Sequence, residues 1–586
     1  MPARYGSACP VSSHPLPAKK GYDPRQRDRP NQKREEATDA SLAVILFHPG
    51  PNALPADAQT SDALTGQVTS AEEGPMEGVL VSAKKAGSTL TVTVVSDQQG
   101  RYRFPRAKLE PGQYSLRIRA VGYELNGRAA ADITPQNTAT ADLKLRKTQN
   151  LAFQLTNAEW IASVPGTDQQ KTSLLNCLGC HTLERVVRSS YDATGFMQIL
   201  QRMATYANQS TPLHPQRRLA ERALEQRGEE RQQAQRQQAE FLSAINLSSS
   251  STWEFPLKTL PRPQGRATRV VVTEYDLPRP TIEPHDVIVD SDGMAWYGNF
   301  GEQTIGRLDP KTARVTEYPV PELKRGWPTG MLSLRPDREG SLWLGLMYQG
   351  AVAKFDRKTE KFQIWSLPPE LNKDNTQINM TSPLHYAVDG KLWTQNNGIA
   401  AVHRLDLASG KFETFEPFKG STKTHNIYDV IADSQNNVYF TEFANEHIGR
   451  IDAKSGMIIL YPTPTPRSAP RRGMMDAQDR LWFAEYRGNR IAMFDTRAER
   501  FQEWVAPTAW SAPYDVAVDK NGEAWTGSMV SDRILRLDPK TGQWTEYLLP
   551  RSTNIRRVFV DNSTTPVTFW VGSNHGASII KLEPLD

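Results

Sequence analysis

Cysteine is nearly absent: 3 residues in 586, at Cys9, Cys177 and Cys180. They cannot form a disulfide framework, so the chain must be held by packed cores or bound groups. Long apolar runs are missing too. The stretch Leu42-Ala43-Val44-Ile45-Leu46-Phe47 is far below the ~20 residues that a membrane-crossing helix needs, and no other segment is longer and equally apolar, which excludes a helical membrane span. Neither sign of charge dominates. Against 70 Lys and Arg stand 65 Asp and Glu, a formal charge of +5 spread along the chain, and this excludes the massed basic footprint of a nucleic-acid-binding protein. Apolar residues are not scarce: 38% hydrophobic and 9% aromatic residues suffice for packed cores, and the length predicts several domains of about 100 to 200 residues.

Composition divides the chain. Residues 1–60 are polar, rich in Pro, Lys, Arg and Asp, and read as a disordered tail. Within it the short apolar run at 42–47, followed by Ala56-Asp57-Ala58, has the order of a degenerate signal segment with an A-x-A cleavage site. A periplasmic or secreted bacterial location is therefore expected. Residues 61–148 alternate apolar and polar positions between turns, as in Gly78-Val79-Leu80-Val81-Ser82, Leu90-Thr91-Val92-Thr93-Val94-Val95 and Tyr114-Ser115-Leu116-Arg117-Ile118-Arg119. Period-2 strands this closely spaced predict a small β-sandwich. The segments Gly66-Gln67-Val68, Asp97-Gln98-Gln99-Gly100-Arg101-Tyr102-Arg103-Phe104, Pro111-Gly112-Gln113-Tyr114 and Ala120-Val121-Gly122-Tyr123 resemble the carboxypeptidase regulatory-like domain. That resemblance implies a transthyretin-like sandwich serving as an adhesion or spacer module.

Residues 160–250 change to a helical period. Phe196, Ile199, Leu200 and Met203 fall on one stripe, residues 239–247 read as a closing helix, and residues 217–238, nearly all Arg, Glu, Gln and Ala, predict an exposed helix laced with opposite charges. This segment opens with Asn176-Cys177-Leu178-Gly179-Cys180-His181. C-x-x-C-H is the spacing of covalent c-type haem attachment. On the first turn of a helix two thiols three apart reach the two vinyl groups of one porphyrin edge, while the adjacent imidazole faces the iron. A redox C-x-x-C and a partial zinc site are the competing readings, but a redox pair needs no histidine, and closed zinc sites need a fourth ligand. His181 is then the proximal ligand. Met203 is the first choice for the sixth, with Met197, His214 or an open position as alternatives. The segment resembles the class I cytochromes c through Cys177, Cys180, His181 and its closing helix, although that family usually places its axial methionine further downstream.

Residues 265–586 repeat. Strand starts recur at Pro284-His285-Asp286-Val287, Tyr428-Asp429-Val430 and Pro513-Tyr514-Asp515-Val516. Aromatic strands follow at Trp296, Trp343, Trp393, Tyr439, Trp482, Trp525 and Trp570, then third strands such as Ile448-Gly449-Arg450-Ile451-Asp452. Four short strands per repeat of about 40 to 45 residues predict a β-propeller, and the seven aromatic strands predict seven blades. Thr273-Glu274-Tyr275 precedes the first inner strand and is expected to complete the last blade. The expected fold class is thus mainly β and multidomain: a transthyretin-like β-sandwich, a small α-helical cytochrome c domain, and a seven-bladed propeller.

The repeats, above all Tyr439-Phe440-Thr441-Glu442-Phe443 with Ile448-Gly449-Arg450-Ile451-Asp452, resemble virginiamycin B lyase, the streptogramin lyase family. That resemblance implies a macrolactone-opening elimination by a histidine base with a magnesium ion held by glutamates. Its site motif is Glu-Pro-His with a further Glu fourteen residues after the His. Glu283-Pro284-His285 matches the first half, giving Glu283 and His285 as the catalytic candidates, but the fourteenth residue on is Asn299, an amide where a hard dication prefers a carboxylate. Glu442 and Glu485 stand at the acidic position of their repeats, with Tyr428 and Arg471 fourteen residues before them. The register gathers His285, Asn299, Asn396, Tyr428, Glu442, Arg472, Glu485 and Tyr514 near the axis as a polar funnel for a small-molecule substrate or a redox partner protein. Three functions follow. The first is a periplasmic monohaem cytochrome whose propeller holds a partner or substrate. The second is a streptogramin-lyase-type enzyme with an accessory haem domain, against which Asn299 argues. The third is a purely structural binding protein in which no domain turns over substrate, against which the intact C-x-x-C-H motif argues.

Overall fold

The computed structural model describes residues 62–218 and 229–586. Cys9, the tail with its apolar run, and the centre of the charged stretch at 217–238 lie outside the described residues. No helix among the described residues is long and apolar enough to cross a membrane.

The first unit is a β-sandwich. One sheet pairs Asp62–Ser70 with Leu143–Lys147 in parallel and with Arg101–Pro105 antiparallel. The other places Leu80–Lys85 between Leu90–Val95 and Gly112–Arg119. The alternation in sequence is realised directly: Tyr102 and Phe104 face inward while Arg101 and Arg103 face solvent, and Leu64, Val68, Val81, Val94 and Leu116 join them in the core.

Short helices follow at Asn157–Ser163, Asp168–Leu174, Glu184–Val187, Ala193–Met203 and Glu229–Ala244. Their starts are written in the sequence. Thr156 with Glu159 and Thr167 with Gln170 form reciprocal capping boxes, each satisfying two amide donors that a helix start leaves free. Asp192 caps Ala193–Met203 by accepting from the Gly195 amide at 2.7 Å. The expected exposed helix at 217–238 is described only from Glu229 onward, where it merges with the predicted closing helix.

From residue 270 the chain builds seven four-stranded antiparallel sheets. Six are consecutive in sequence, and in the first the order is Pro284–Val289, Ala295–Asn299, Thr304–Asp309, Arg314–Pro319. The seventh takes three strands from the end of the chain, and its fourth is Val270–Asp276, whose Tyr275 pairs with Ile579 and Val272 with Leu582. The opening strands of successive sheets pack against one another, and Pro284–Val289 packs against Ile555–Asp561 and Thr568–Ser573 of the seventh sheet. The chain is therefore mainly β, a sandwich joined to a propeller-like array. The sandwich is not a free module: Leu90–Val95 pairs with the other edge of Val270–Asp276, so that its second sheet and the seventh sheet are one eight-stranded sheet. That covers an edge that would otherwise be open to foreign strands.

A repeated device shapes four of the seven sheets. Asp290 ends the first strand, takes the amides of Asp292 and Met294 on one oxygen, and accepts the Trp296 indole N–H at 2.7 Å on the other. The Asp337–Trp343, Asp476–Trp482 and Asp519–Trp525 pairs repeat the indole bond at 2.9 Å. Around the axis, buried arginines tie distant opening strands together: Arg335 holds both Asp429 oxygens at 2.7 and 2.8 Å, and Arg472 holds both Asp286 oxygens at 2.6 and 3.0 Å.

Candidate functional site

Cys177–Gly179 forms one 3-10 turn, tighter than the α-turn expected, with the Cys180 amide reaching back to the Cys177 carbonyl at 3.5 Å. Both thiols line one cavity of about 790 Å³ together with His181 and Met203, a volume within the ~300–1,000 Å³ typical of cofactor sites. Phe196, Ile199, Leu200 and Leu242 supply its apolar wall. Arg185, Arg202 and Arg218 supply its charge, and no acid lines it among the described residues. Met197 packs into the neighbouring core, and neither it nor His214 lines the cavity.

The electrostatics discriminate between the readings of the motif. Burial pushes the Cys177 thiol up to about 11 and raises Cys180 as well, opposite to the depressed values of a reactive redox pair. No cluster of three His, Cys, Asp or Glu able to hold a metal ion occurs among the described residues. His181 lies 2.9 Å through Nδ1 from the Thr182 carbonyl. A carbonyl only accepts, so Nδ1 carries the proton and Nε2 keeps its lone pair. Burial also lowers the His181 pKa and keeps the ring neutral.

The motif is seated on the sheet array. Asn554 Nδ2 donates to the Leu178 carbonyl at 3.2 Å and Arg556 Nη2 to the Gly179 carbonyl at 2.9 Å. Both donors head the seventh sheet. Elsewhere the helical segment bonds to the loops of three other sheets: Ala158 N to Val530 O at 3.0 Å, Gln216 Nε2 to Gly301 O at 3.1 Å, and Gln209 Nε2 to Met347 Sδ at 3.0 Å. It thus lies over the ends of the sixth, seventh, first and second sheets. Sequence reasoning missed Asn554, Arg556, Arg185, Arg202 and Arg218, because nothing local marks a residue that acts through a segment hundreds of positions away.

The predicted axial residues are only partly gathered, and all are covered. His285 is fully buried, with Nδ1 2.8 Å from Asp286 Oδ1 and Nε2 3.1 Å from the Tyr514 hydroxyl. Since Asp286 takes the Nδ1 proton, Nε2 is occupied by the Tyr514 O–H. Burial pushes His285 down to about 3, against the pull of Asp286. In this arrangement the Nε2 lone pair of His285, which a general base would use, is engaged by the Tyr514 hydroxyl. Burial pushes Glu283 up to about 8, and one of its oxygens has no partner. Asn299 is a turn former: its oxygen accepts the amides of Glu283, Gly301 and Glu302 at 3.1, 3.1 and 3.2 Å, while its amide nitrogen donates to Glu302 and Thr304. Those bonds explain an amide at this position and leave nothing for a cation. Glu442 is held within its own sheet by Asn445 at 2.8 Å, and burial pushes Glu485 up to about 8. Asn396 is likewise buried, its oxygen taken by the Gln377 amide. The expected funnel is a packed axis in this region.

The sheet array is similar in structure to virginiamycin B lyase from Staphylococcus aureus, with 23% sequence identity, 53% of this chain and 99% of that chain covered, and a TM-score of 0.44. A streptogramin B lyase structure gives 23% identity, coverage of 55% and 100%, and a TM-score of 0.46. The extracellular domain of a hybrid two-component system from B. thetaiotaomicron gives 13% identity, coverage of 52% and 38%, and a TM-score of 0.40. No curated protein matches the chain. Residues 63–146 match the carboxypeptidase regulatory-like domain, the family expected for the sandwich from its turn motifs.

Proposed function

We propose that this protein is an exported c-type cytochrome with one haem, carried by the helical segment on a seven-bladed propeller, and that it exchanges single electrons with a partner. The observation that carries this reading is the cavity that brings Cys177, Cys180, His181 and Met203 to one apolar space with three arginines and no acid among the described lining residues. Haem c bound there supplies a one-electron couple whose potential follows from its axial ligands and burial. The two thiols would be its attachment points. His181, whose Nδ1 is held by the Thr182 carbonyl, would offer Nε2 to the iron, and Met203 would offer its sulfur. Arg185, Arg202 and Arg218 would balance the charge of its carboxylates, and Phe196, Leu200 and Leu242 would keep water out. Thioether attachment is completed outside the cytoplasm, which supports a periplasmic or secreted location. Production with a c-type maturation system is expected to give a sharp α band in the reduced-minus-oxidised spectrum, and haem that stays on the chain under denaturation. A colourless wild type, or haem retained equally by Cys177→Ala/Cys180→Ala, would refute the proposal.

The second reading, a streptogramin-type carbon–oxygen lyase, is favoured by Glu283-Pro284-His285 at the head of the first sheet. Its magnesium ion does not fit: Asn299 is fully engaged in its turn, and no three-ligand cluster occurs among the described residues. Metal-dependent opening of a streptogramin ring that is lost in His285→Ala would restore it.

A further inference from the structure

The outer strand of the fourth sheet, Ile458–Pro462, is an unguarded edge. The other exposed outer strands each carry charge: Arg314 and Glu317 in the first sheet, Lys361 in the second, Glu413 in the third, Arg500 and Glu503 in the fifth, and Glu546 in the sixth. Charges there keep an edge from pairing with foreign strands. The fourth sheet instead ends in Met457-Ile458-Ile459-Leu460-Tyr461-Pro462, which holds none. Met457 is 55% and Leu460 38% exposed, and no strand among the described residues lies on that edge. The seventh sheet shows what an outer strand of this array accepts: Val270–Asp276 takes the uncharged sandwich strand Leu90–Val95 antiparallel along its outer edge.

The backbone groups left free on this edge fix a register. Thr463 donates its N–H to the Glu446 carbonyl at 2.7 Å, and the Met457 carbonyl accepts from the Asp452 amide at 3.0 Å. Residues of an antiparallel strand bond alternately to one side and the other, so 457, 459, 461 and 463 bond inward, towards His447–Ile451 and its flanks. Ile458 and Leu460 therefore point their N–H and C=O groups outward. Two copies of the strand laid antiparallel, with Ile459 facing Ile459 of the second copy, set Ile458 of each opposite Leu460 of the other. Those two pairs then exchange N–H···O bonds in both directions and use every outward group of the four residues. Side chains meet as Met457 with Tyr461, Ile459 with Ile459 and Ile458 with Leu460, cross-strand pairs without a like-charge clash. Pro462, which has no N–H to donate, falls opposite Gly456, beyond the last bond.

We propose that residues 457–462 form a self-pairing edge that joins two copies of this chain about a two-fold axis at Ile459, making one continuous sheet of the two fourth sheets. The same strand serves both sides, as an isologous contact requires. Its size sets its strength. So short a strand gives far fewer than the ~20–30 residues a side of a standard interface, and a reversible dimer in the micromolar range follows rather than a permanent one. This surface does not depend on the haem reading, and it shares no residue with the cavity at Cys177 and Cys180.

The test is sedimentation velocity of the full chain over a concentration series from about 1 to about 100 µM, where a shift from monomer to dimer is expected. Ile459→Lys sets like charges against each other on the axis, and Ile459→Glu does the same. Each is expected to raise the dissociation constant at least about thirtyfold, with circular dichroism checking that both fold. An equimolar mixture of the two variants places opposite charges on the axis and is expected to dimerise again. Leu460→Pro removes an outward N–H and no bond of the sheet itself, so it is expected to leave the chain folded and monomeric. A wild type that stays monomeric throughout, its edge bare or kept for a different chain, overturns the proposal. So does a dimer that persists in Ile459→Lys or Leu460→Pro, or a mixture of the charged variants that stays monomeric.

Discussion

Removing Arg472 tests the idea that buried Arg–Asp pairs lock the opening strands around the axis. Both partners are fully buried, and contacts of 2.6 and 3.0 Å set the charge centres roughly 4 Å apart, worth about 4 kcal/mol at an effective dielectric constant near 20. In Arg472→Met, Asp286 keeps the Leu334 amide at 2.9 Å, Arg557 at 3.2 Å and His285 at 2.8 Å, which offsets part of the loss. A destabilisation of about 3 kcal/mol is expected, at the low end of the range for a broken buried pair. Urea unfolding followed by tryptophan fluorescence reads it directly, because Trp296 and Trp482 sit in the two sheets that the pair joins. Adding Asp286→Asn removes the carboxylate that has lost one of its two arginines, so the double variant is expected to be more stable than the sum of the single effects by about 2 kcal/mol. A loss below about 1 kcal/mol for Arg472→Met at unchanged m, or strict additivity, would show that the pair is electrostatically idle and refute the reasoning.

Three further outcomes follow from the same geometry. Stability is expected to fall on both sides of slightly acidic pH. His285 is depressed to about 3, so its contribution is present above the unfolded value near 6.5 and is lost as pH falls from there towards 3; Glu283 and Glu485 are raised to about 8, so theirs is present below the unfolded value near 4.5 and is lost as pH rises through 8. Denaturant midpoints that stay flat from pH 4 to 8 would contradict these assignments. Gly473→Ala would place a Cβ 1.9 Å from the Trp482 carbonyl oxygen, and a loss of about 2 kcal/mol or more is expected, read as a lower thermal midpoint. Met203→Ala is expected to abolish the methionine-type ligation signal of the haem-loaded protein and lower its potential, whereas Met197→Ala, which alters no cavity-lining residue, leaves both unchanged.

The parts of the structure legible in the sequence are those that local chemistry dictates. Alternation at Arg101-Tyr102-Arg103-Phe104 gave a strand with a wet and a dry face, and the recurring aromatic strands marked the sheets. The carboxylate six residues before four of the tryptophans, which closes the turn and holds the indole, and the caps at Thr156 and Thr167 emerged only in the structure. Of the candidate site, Cys177, Cys180, His181 and Met203 were singled out in the sequence by motif spacing and a helical stripe, and one cavity gathers the four. Its arginines were not, since Arg185, Arg202 and Arg218 look like any solvated cations until the cavity places them together. Nor could composition tell that Val270–Asp276 bridges two sheets. Edge pairing between residues nearly 200 positions apart depends on backbone hydrogen bonds that carry no side-chain signature.

Burial separates the two functional readings more sharply than motif matching does. A lyase needs Glu283 and His285 open to a ring substrate at the ends of the sheets, and the helical segment occupies that surface over the seventh and first sheets. The bonds from Asn554 and Arg556 to the Leu178 and Gly179 carbonyls fix the thiol-bearing turn on the array, so opening the axis would dislodge that turn. Severing that anchor discriminates between the readings. Arg556→Met removes the Gly179 contact and the nearest cation to Glu283. On the cytochrome reading it is expected to loosen the thiol-bearing turn and shift the haem potential without creating any ring-opening activity. If ring opening instead appears in Arg556→Met while the haem spectrum and potential stay as in wild type, the helical segment is a cover over a lyase site, and the cytochrome reading of the whole chain fails.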